Sequence, residues 1–103
     1  MDLMMSLIQS LKALADENRM KILTLLMKGD LCVGALANRL EISKPAVSQH
    51  LKILREAGLI KGEKRGYWTH YVVEREAIAN ISKQIGELIS PPDAFEIIGF
   101  SAK

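Results

Sequence analysis

The chain has 103 residues, 49% of them apolar and 25% charged, with a formal net charge of +2 at neutral pH. That length holds one hydrophobic core and no second, and the composition excludes both a disordered chain and a fibre. No apolar run approaches the roughly 18 residues of a membrane span, no basic stretch precedes the first apolar one, and a lone cysteine closes no internal disulfide, so a cytoplasmic protein is expected.

Leu3, Leu7, Leu11 and Leu14, with Met4 and Ile8 beside them, recur at helical spacing and predict a first helix from residue 3 to about 15. Asp16 is placed to cap a second helix, Glu17 is an acidic first-turn residue and Gly29 is a stop. Between them Met20, Ile22, Leu23, Leu25, Leu26 and Met27 cover too broad an arc for a surface helix, so residues 17–28 read as a buried central helix. Asp30 is the expected cap of a short third helix over about 32–40, with Val33, Leu36, Ala37 and Leu40 inward. Glu41-Ile42 is a turn. Ser43 caps the next helix, and Pro45 sits in its first turn, where its missing N–H breaks no hydrogen bond. Val47, Leu51 and Leu54 then face the core at i, i+4, i+7, and Gly58 ends the helix at about Ala57. Two helices joined by so short a turn form a helix-turn-helix.

Leu59 to Lys64 and Tyr67 to Val73 flank Arg65-Gly66 as a two-stranded ribbon, with Gly66 available for positive φ. Tyr67, Thr69, Tyr71 and Val73 share one face of the second strand, and Trp68, His70 and Val72 share the other. Trp68 and Tyr71 are expected to pack within this wing. An amphipathic helix follows from Glu74 to about Ser90, with Ile78, Ile81, Ile85, Leu88 and Ile89 on one side, until Pro91-Pro92 stop it. The fold expected is mostly α with a small β-hairpin: a winged helix-turn-helix of about five helices plus a two-stranded wing. It occupies residues 1–90, and an apolar tail occupies 91–103.

Charge is spread unevenly along these elements. Residues 1–42 carry five basic and five acidic groups, residues 43–70 six basic against two acidic, and residues 71–103 three against five. A cationic helix-and-hairpin unit of this kind is how a small protein grips duplex DNA. Opposite the buried stripe, helix 43–57 presents Lys44, Ser48, Gln49, Lys52 and Arg55. Ser48 and Gln49 are short hydrogen-bonding groups suited to base edges, and a glutamine can meet adenine in bidentate fashion. Ala46 is small enough to let the helix approach a thymine methyl. Lys44, Lys52 and Arg55 suit phosphates, as does the helix N-terminus at Ser43. Lys64 and Arg65 at the wing tip suit a neighbouring backbone or minor groove. His50 borders the core face and is expected to serve structure, bonded to backbone. With one cysteine, two histidines and no cradling glycine loop, the chain offers no nucleophile–base constellation, so no enzyme is expected.

Four segments carry a family resemblance. They are Leu11-Lys-Ala-Leu-Ala-Asp-Glu-Asn-Arg-Met-Lys-Ile-Leu-Thr-Leu-Leu, Leu31-Cys-Val-Gly-Ala-Leu, Ser43-Lys-Pro-Ala-Val-Ser-Gln-His-Leu-Lys-Ile-Leu-Arg-Glu-Ala-Gly-Leu-Ile and Gly66-Tyr-Trp-Thr-His-Tyr. Together, over about residues 6–75, they resemble the ArsR–SmtB family of bacterial and archaeal repressors. The resemblance implies a homodimer built from the first and last helices, operator binding through the second helix of the motif plus the wing, and repression relieved by an inducer. By position it implies DNA contacts from Ser43, Lys44, Ala46, Ser48, Gln49 and Lys52, with Lys64 and Arg65 on the wing. The apolar stripes of the first and last helices also exceed what a core this size covers, and pairing them across a two-fold axis buries them. Two reading helices about 34 Å apart then call for an inverted-repeat target.

Many members of that family hold a metal or metalloid with a Cys-Val-Cys-Asp stretch. Here the stretch reads Cys32-Val33-Gly34-Ala35, and one thiolate makes neither a multi-sulfur site nor a four-coordinate zinc set. A second family site uses Asp and His of the last helix, where this chain has Glu76, Asn80, Gln84 and Glu87. His50 and His70 match neither set. No metal and no cofactor are therefore expected, the inducer is left unknown, and Cys32 reads as a small buried apolar residue. Two alternatives stand beside this reading: a metal- or redox-responsive repressor using Cys32, and a winged-helix protein-interaction module that does not bind DNA.

Overall fold

The structure is a computed structural model and describes residues 3–89; Ser90, the predicted end of the last helix, and the predicted tail 91–103 lie outside those residues. The elements run α1 Leu3–Leu14, α2 Glu17–Lys28, β1 Leu31–Cys32, α3 Val33–Leu40, α4 Lys44–Glu56, β2 Ile60–Arg65, β3 Trp68–Val73 and α5 Arg75–Ile89.

Local chemistry places most of the boundaries. Asp16 is extended and its carboxylate accepts from the Arg19 backbone N–H at 3.0 Å, starting α2. Ser43 does the same for α4, its hydroxyl accepting from the Ala46 N–H at 3.2 Å. The α3–α4 turn depends on Glu41, which sits in the left-handed region at φ 58 and donates its N–H to the Ala37 carbonyl. A non-glycine residue there costs about 1 kcal/mol, a strain accepted to hold the two helices at their angle. After α4, Gly58 takes φ +76, and the Gly58 and Leu59 N–H groups return to the carbonyls of Arg55 and Leu54.

One expectation is extended and three are corrected. The two-stranded wing forms as β2 and β3, and β1 adds a third strand antiparallel to β3, with Leu31 opposite Tyr71 and Cys32 opposite His70, in the order β1-β3-β2. Two residues are too few to show strand alternation in a sequence. Asp30 does not cap α3; the capping position is Cys32, with no side-chain cap bond, because the Asp30 carboxylate is taken by Arg65 and His70. The hairpin turn lies one residue further on than Arg65-Gly66: Arg65 ends β2 opposite Trp68, and Gly66 at φ +65 and Tyr67 make the turn. Lastly, α2 is not buried all round. Ile22, Leu23 and Leu26 enter the core, but Met20 and Met27 lie on the exposed side.

The centre of the core is Ile22, Leu36, Val47, Leu51, Leu54, Leu59 and Ile60, all fully buried, so every element from α2 to β2 except the two-residue β1 contributes a side chain. Leu7 and Ala13 of α1 and Ile81 of α5 extend it. α1 packs against α2, α4 and α5. Apolar residues of both end helices nevertheless stay exposed: Met5, Ile8 and Leu11 on α1, and Ile85, Leu88 and Ile89 on α5.

Candidate nucleic-acid interface

Helix α4 has two chemically opposite faces. Val47, Leu51 and Leu54 are buried at its base, which fixes the rotation of the helix about its own axis. That rotation turns Ser43, Lys44, Ser48, Gln49, Lys52 and Arg55 outward, all exposed, with Ala46 half-buried between them. Among the described residues Lys44, Lys52 and Arg55 have no ion-pair partner, and the side chains of Ser48 and Gln49 make no hydrogen bond within the chain. The face thus offers three uncompensated cations and two unspent hydrogen-bonding groups. Ser43 differs, because its hydroxyl is already engaged as the cap. The partial positive charge of the N-terminus beside it adds to Lys44.

α4 is also tied to the α1–α2 corner. His50 Nδ1 lies 3.3 Å from Arg19 Nη1 and 3.8 Å from Asp16 Oδ2, and it accepts from the guanidinium, which can only donate. Arg19 in turn donates to the carbonyls of Ala13 and Lys12 at the end of α1. His50 therefore has the structural role expected, with a side chain rather than backbone as its partner. The hydrogen bond from the Arg19 backbone N–H holds the Asp16 carboxyl below the usual range, against desolvation, and the charge of Arg19 acts in the same direction. Arg19 carried no signal in the sequence, since its partners are set by how three helices meet.

The wing is organised differently. Lys61, Glu63 and Arg65 of β2 share one face of the sheet with Trp68, His70 and Val72 of β3 and with Cys32 of β1. Along that face runs a chain of opposite charges. Lys61 Nζ lies 3.8 Å from both Glu74 and Glu63, Arg65 is 2.9 Å from Glu63 and 2.6 Å from Asp30, and Asp30 is 3.3 Å from His70 Nδ1. The Glu63 hydrogen bond first, and then the Asp30 charge, push the Arg65 guanidinium still further toward its protonated form. The two wing residues singled out in the sequence are thus unlike each other: Arg65 is bound by two carboxylates, and Lys64 is exposed without an acidic partner among the described residues.

The aromatic residues of β3 also divide. Tyr71 packs against the core as expected, and its ring lies over Gly62, where an added Cβ would sit 3.3 Å from Tyr71 Cε1 and 3.0 Å from Thr69 Cγ2. Trp68, expected to pack, is instead 65% exposed. It opens its strand at the outer end of the hairpin, away from Tyr71 and Val73, which pack on the core.

Cys32 is half-buried and paired in register with His70. Nearby, the carboxylates of Asp30 and Glu63 close on Arg65, and among the described residues no group of three or more His, Cys, Asp or Glu side chains is arranged to hold a metal ion. Among the same residues no helix is long and apolar enough to cross a membrane.

Residues 16–61 match the family described as "Bacterial regulatory protein, arsR family". Over 81 residues the chain is 44% identical to the arsenical resistance operon repressor of Escherichia coli (strain K12), a match spanning 78% of this chain and 69% of that protein. Among solved structures it is similar to an ArsR-like transcriptional regulator from Rhodococcus sp. RHA1, at 30% identity and a TM-score of 0.76 over 81% of this chain and 78% of the other. It shares its fold with a homodimeric winged helix-turn-helix DNA-binding domain from Mycobacterium bovis, a possible ArsR-family regulator, at 24% identity and a TM-score of 0.71 over 84% and 82% of the two chains. Fold, two-faced helix and these likenesses agree: the chain belongs to the arsR family of bacterial regulatory proteins and is a winged helix-turn-helix transcriptional regulator.

Proposed function

We propose that this regulator is a cytoplasmic, homodimeric repressor that reads an inverted repeat in duplex DNA with α4 and the β2–β3 wing. The observation that carries the reading is the division of α4, with Val47, Leu51 and Leu54 sealed in the core and Ser48, Gln49 and Lys52 exposed and uncommitted. In this reading Gln49 and Ser48 discriminate bases, Ala46 makes close apolar contact, and Ser43, Lys44, Lys52, Arg55 and Lys64 meet the sugar-phosphate backbone. Arg65 joins them by exchanging a carboxylate for a phosphate.

The exposed apolar residues of α1 and α5 support the dimer, since two copies would cover them across a two-fold axis. Residues 1–90 form the DNA-binding and dimerisation domain, with 91–103 as an appended tail. The inducer is not a metal held at the familiar family positions, because the stretch reads Cys32-Val33-Gly34-Ala35 with a single thiolate and α5 has no histidine.

Selection of binding sites from random duplexes tests the reading. An enriched inverted repeat, with half-sites one helical turn apart, is the expected result. Failure to enrich any duplex sinks it. Adding zinc, nickel, copper, arsenite and an oxidant to the selected complex then tests the inducer: release by any one metal overturns the exclusion of metal sensing.

A further inference from the structure

Two aromatic rings at the outer end of the hairpin take no part in holding the fold together. Tyr67, in the turn, is 98% exposed and Trp68 is 65% exposed, and neither belongs to the hydrophobic cluster or packs against it. Tyr71 and Val73 of the same strand do pack there, so the sheet's attachment to the core is already supplied. Large rings left in water at a protruding turn mark a surface that is covered in the working state.

The charges around the rings specify what covers them. Lys64, one position before the last residue of β2, is exposed with no acidic partner among the described residues. The nearby carboxylates are neutralised: Glu63 by Lys61 and Arg65, and Asp30 by Arg65. The tip therefore presents two rings and a free ammonium, with no uncompensated negative charge to repel a polyanion. Arg65, the cation expected to grip DNA, is held on the outer sheet face by two carboxylates. A minor groove matches this combination, with sugar and base edges inside and phosphates along both rims.

We propose that Tyr67 and Trp68 are the wing's contact with duplex DNA, lying against deoxyribose and base edges in the minor groove while Lys64 meets a rim phosphate. The proposal rests on the reading of α4 as the DNA-binding helix, and its test separates the two.

Trp68 is the chain's only tryptophan, so intrinsic fluorescence reports on the wing tip alone. The full chain is titrated with the duplex selected above, and acrylamide, an uncharged quencher, reads the accessibility of Trp68 in the free and bound states. Tyr67→Ala and Lys52→Ala are compared by affinity and salt dependence; the exposure of Tyr67 means its loss leaves the fold intact. Binding is expected to shift Trp68 emission and protect it severalfold from acrylamide. Tyr67→Ala is expected to weaken binding roughly tenfold at an unchanged salt slope, because an apolar contact releases no counterion, whereas Lys52→Ala flattens the slope. Unaltered Trp68 quenching in a complex that forms, together with wild-type affinity for Tyr67→Ala, overturns the assignment and leaves α4 as the reader. Binding of no duplex at all overturns both. Loss of self-association in Tyr67→Ala, read by sedimentation, would place the rings against a second copy of this chain and likewise overturn the assignment.

Discussion

The outer face of α4 and the outer face of the sheet carry similar numbers of cations and treat them in opposite ways. On α4, Lys44, Lys52 and Arg55 have no acidic partner among the described residues. On the sheet, Lys61 and Arg65 are stitched into a chain with Glu63, Glu74 and Asp30. Two of those acids, Asp30 and Glu74, lie outside the segment 43–70 that looks so basic in the sequence. Charge summed along a stretch of chain is therefore not charge available to a ligand: folding brings distant carboxylates back onto the wing and leaves α4 bare. A helix whose base is buried and whose sides face water has no neighbour to supply counter-charges, while a sheet edge beside two loops has several.

The harshest way to break the contrast is to remove the base that both faces share. Leu54→Ala is expected to cost about 2–5 kcal/mol in chemical denaturation, and DNA binding should be lost with the fold at the same denaturant concentration. Gln49→Ala should leave the fold intact and erase about 1–3 kcal/mol of preference at one base step, read with single-substitution operator variants. Uniform affinities across those variants in the unaltered protein would show that Gln49 does not read bases.

The two cation sets are then compared directly. Lys52→Ala should weaken all duplexes roughly tenfold and lower the salt slope by about one, whereas Arg65→Ala should do less on both counts. Asp30→Asn should tighten binding a few-fold and steepen the slope, since Arg65 is then released to a phosphate. Equal losses for Lys52→Ala and Arg65→Ala, with no gain for Asp30→Asn, would mean the wing pairs open without cost. A control away from both faces is Glu41→Gly, which relieves the left-handed residue between α3 and α4 and should stabilise by about 0.5–1 kcal/mol in urea without changing DNA affinity.

The smallest effect concerns acid. Asp16 has a folded pKa below its unfolded one, so its contribution to stability is present above about pH 4 and fades as pH falls through the folded value. Asp16→Asn keeps a capping oxygen and should flatten the acid limb of the stability profile.

What was legible in the sequence was local. The helices follow from leucine and isoleucine spacing, their starts from Asp16 and Ser43 and their stops from Gly29 and Gly58; the two-faced α4 follows from three apolar residues at i, i+4, i+7. What stayed hidden depends on which distant residues meet. Leu31 and Cys32 become a strand only because β3 is beside them. Asp30 abandons a cap it is chemically fit to form because Arg65 offers it a full charge. Trp68 is exposed because the start of its strand reaches past the core, and no alternation pattern records where a core ends. The candidate site divides along the same line, with the α4 residues readable from spacing and the Arg65 engagement readable only from the fold.

The Arg19 side chain, reaching from the carbonyls of Lys12 and Ala13 to the imidazole of His50, has one more consequence. It works as a strut between the end of the first helix and the middle of α4, so the seating of α4 depends on that helix as well as on its own buried base.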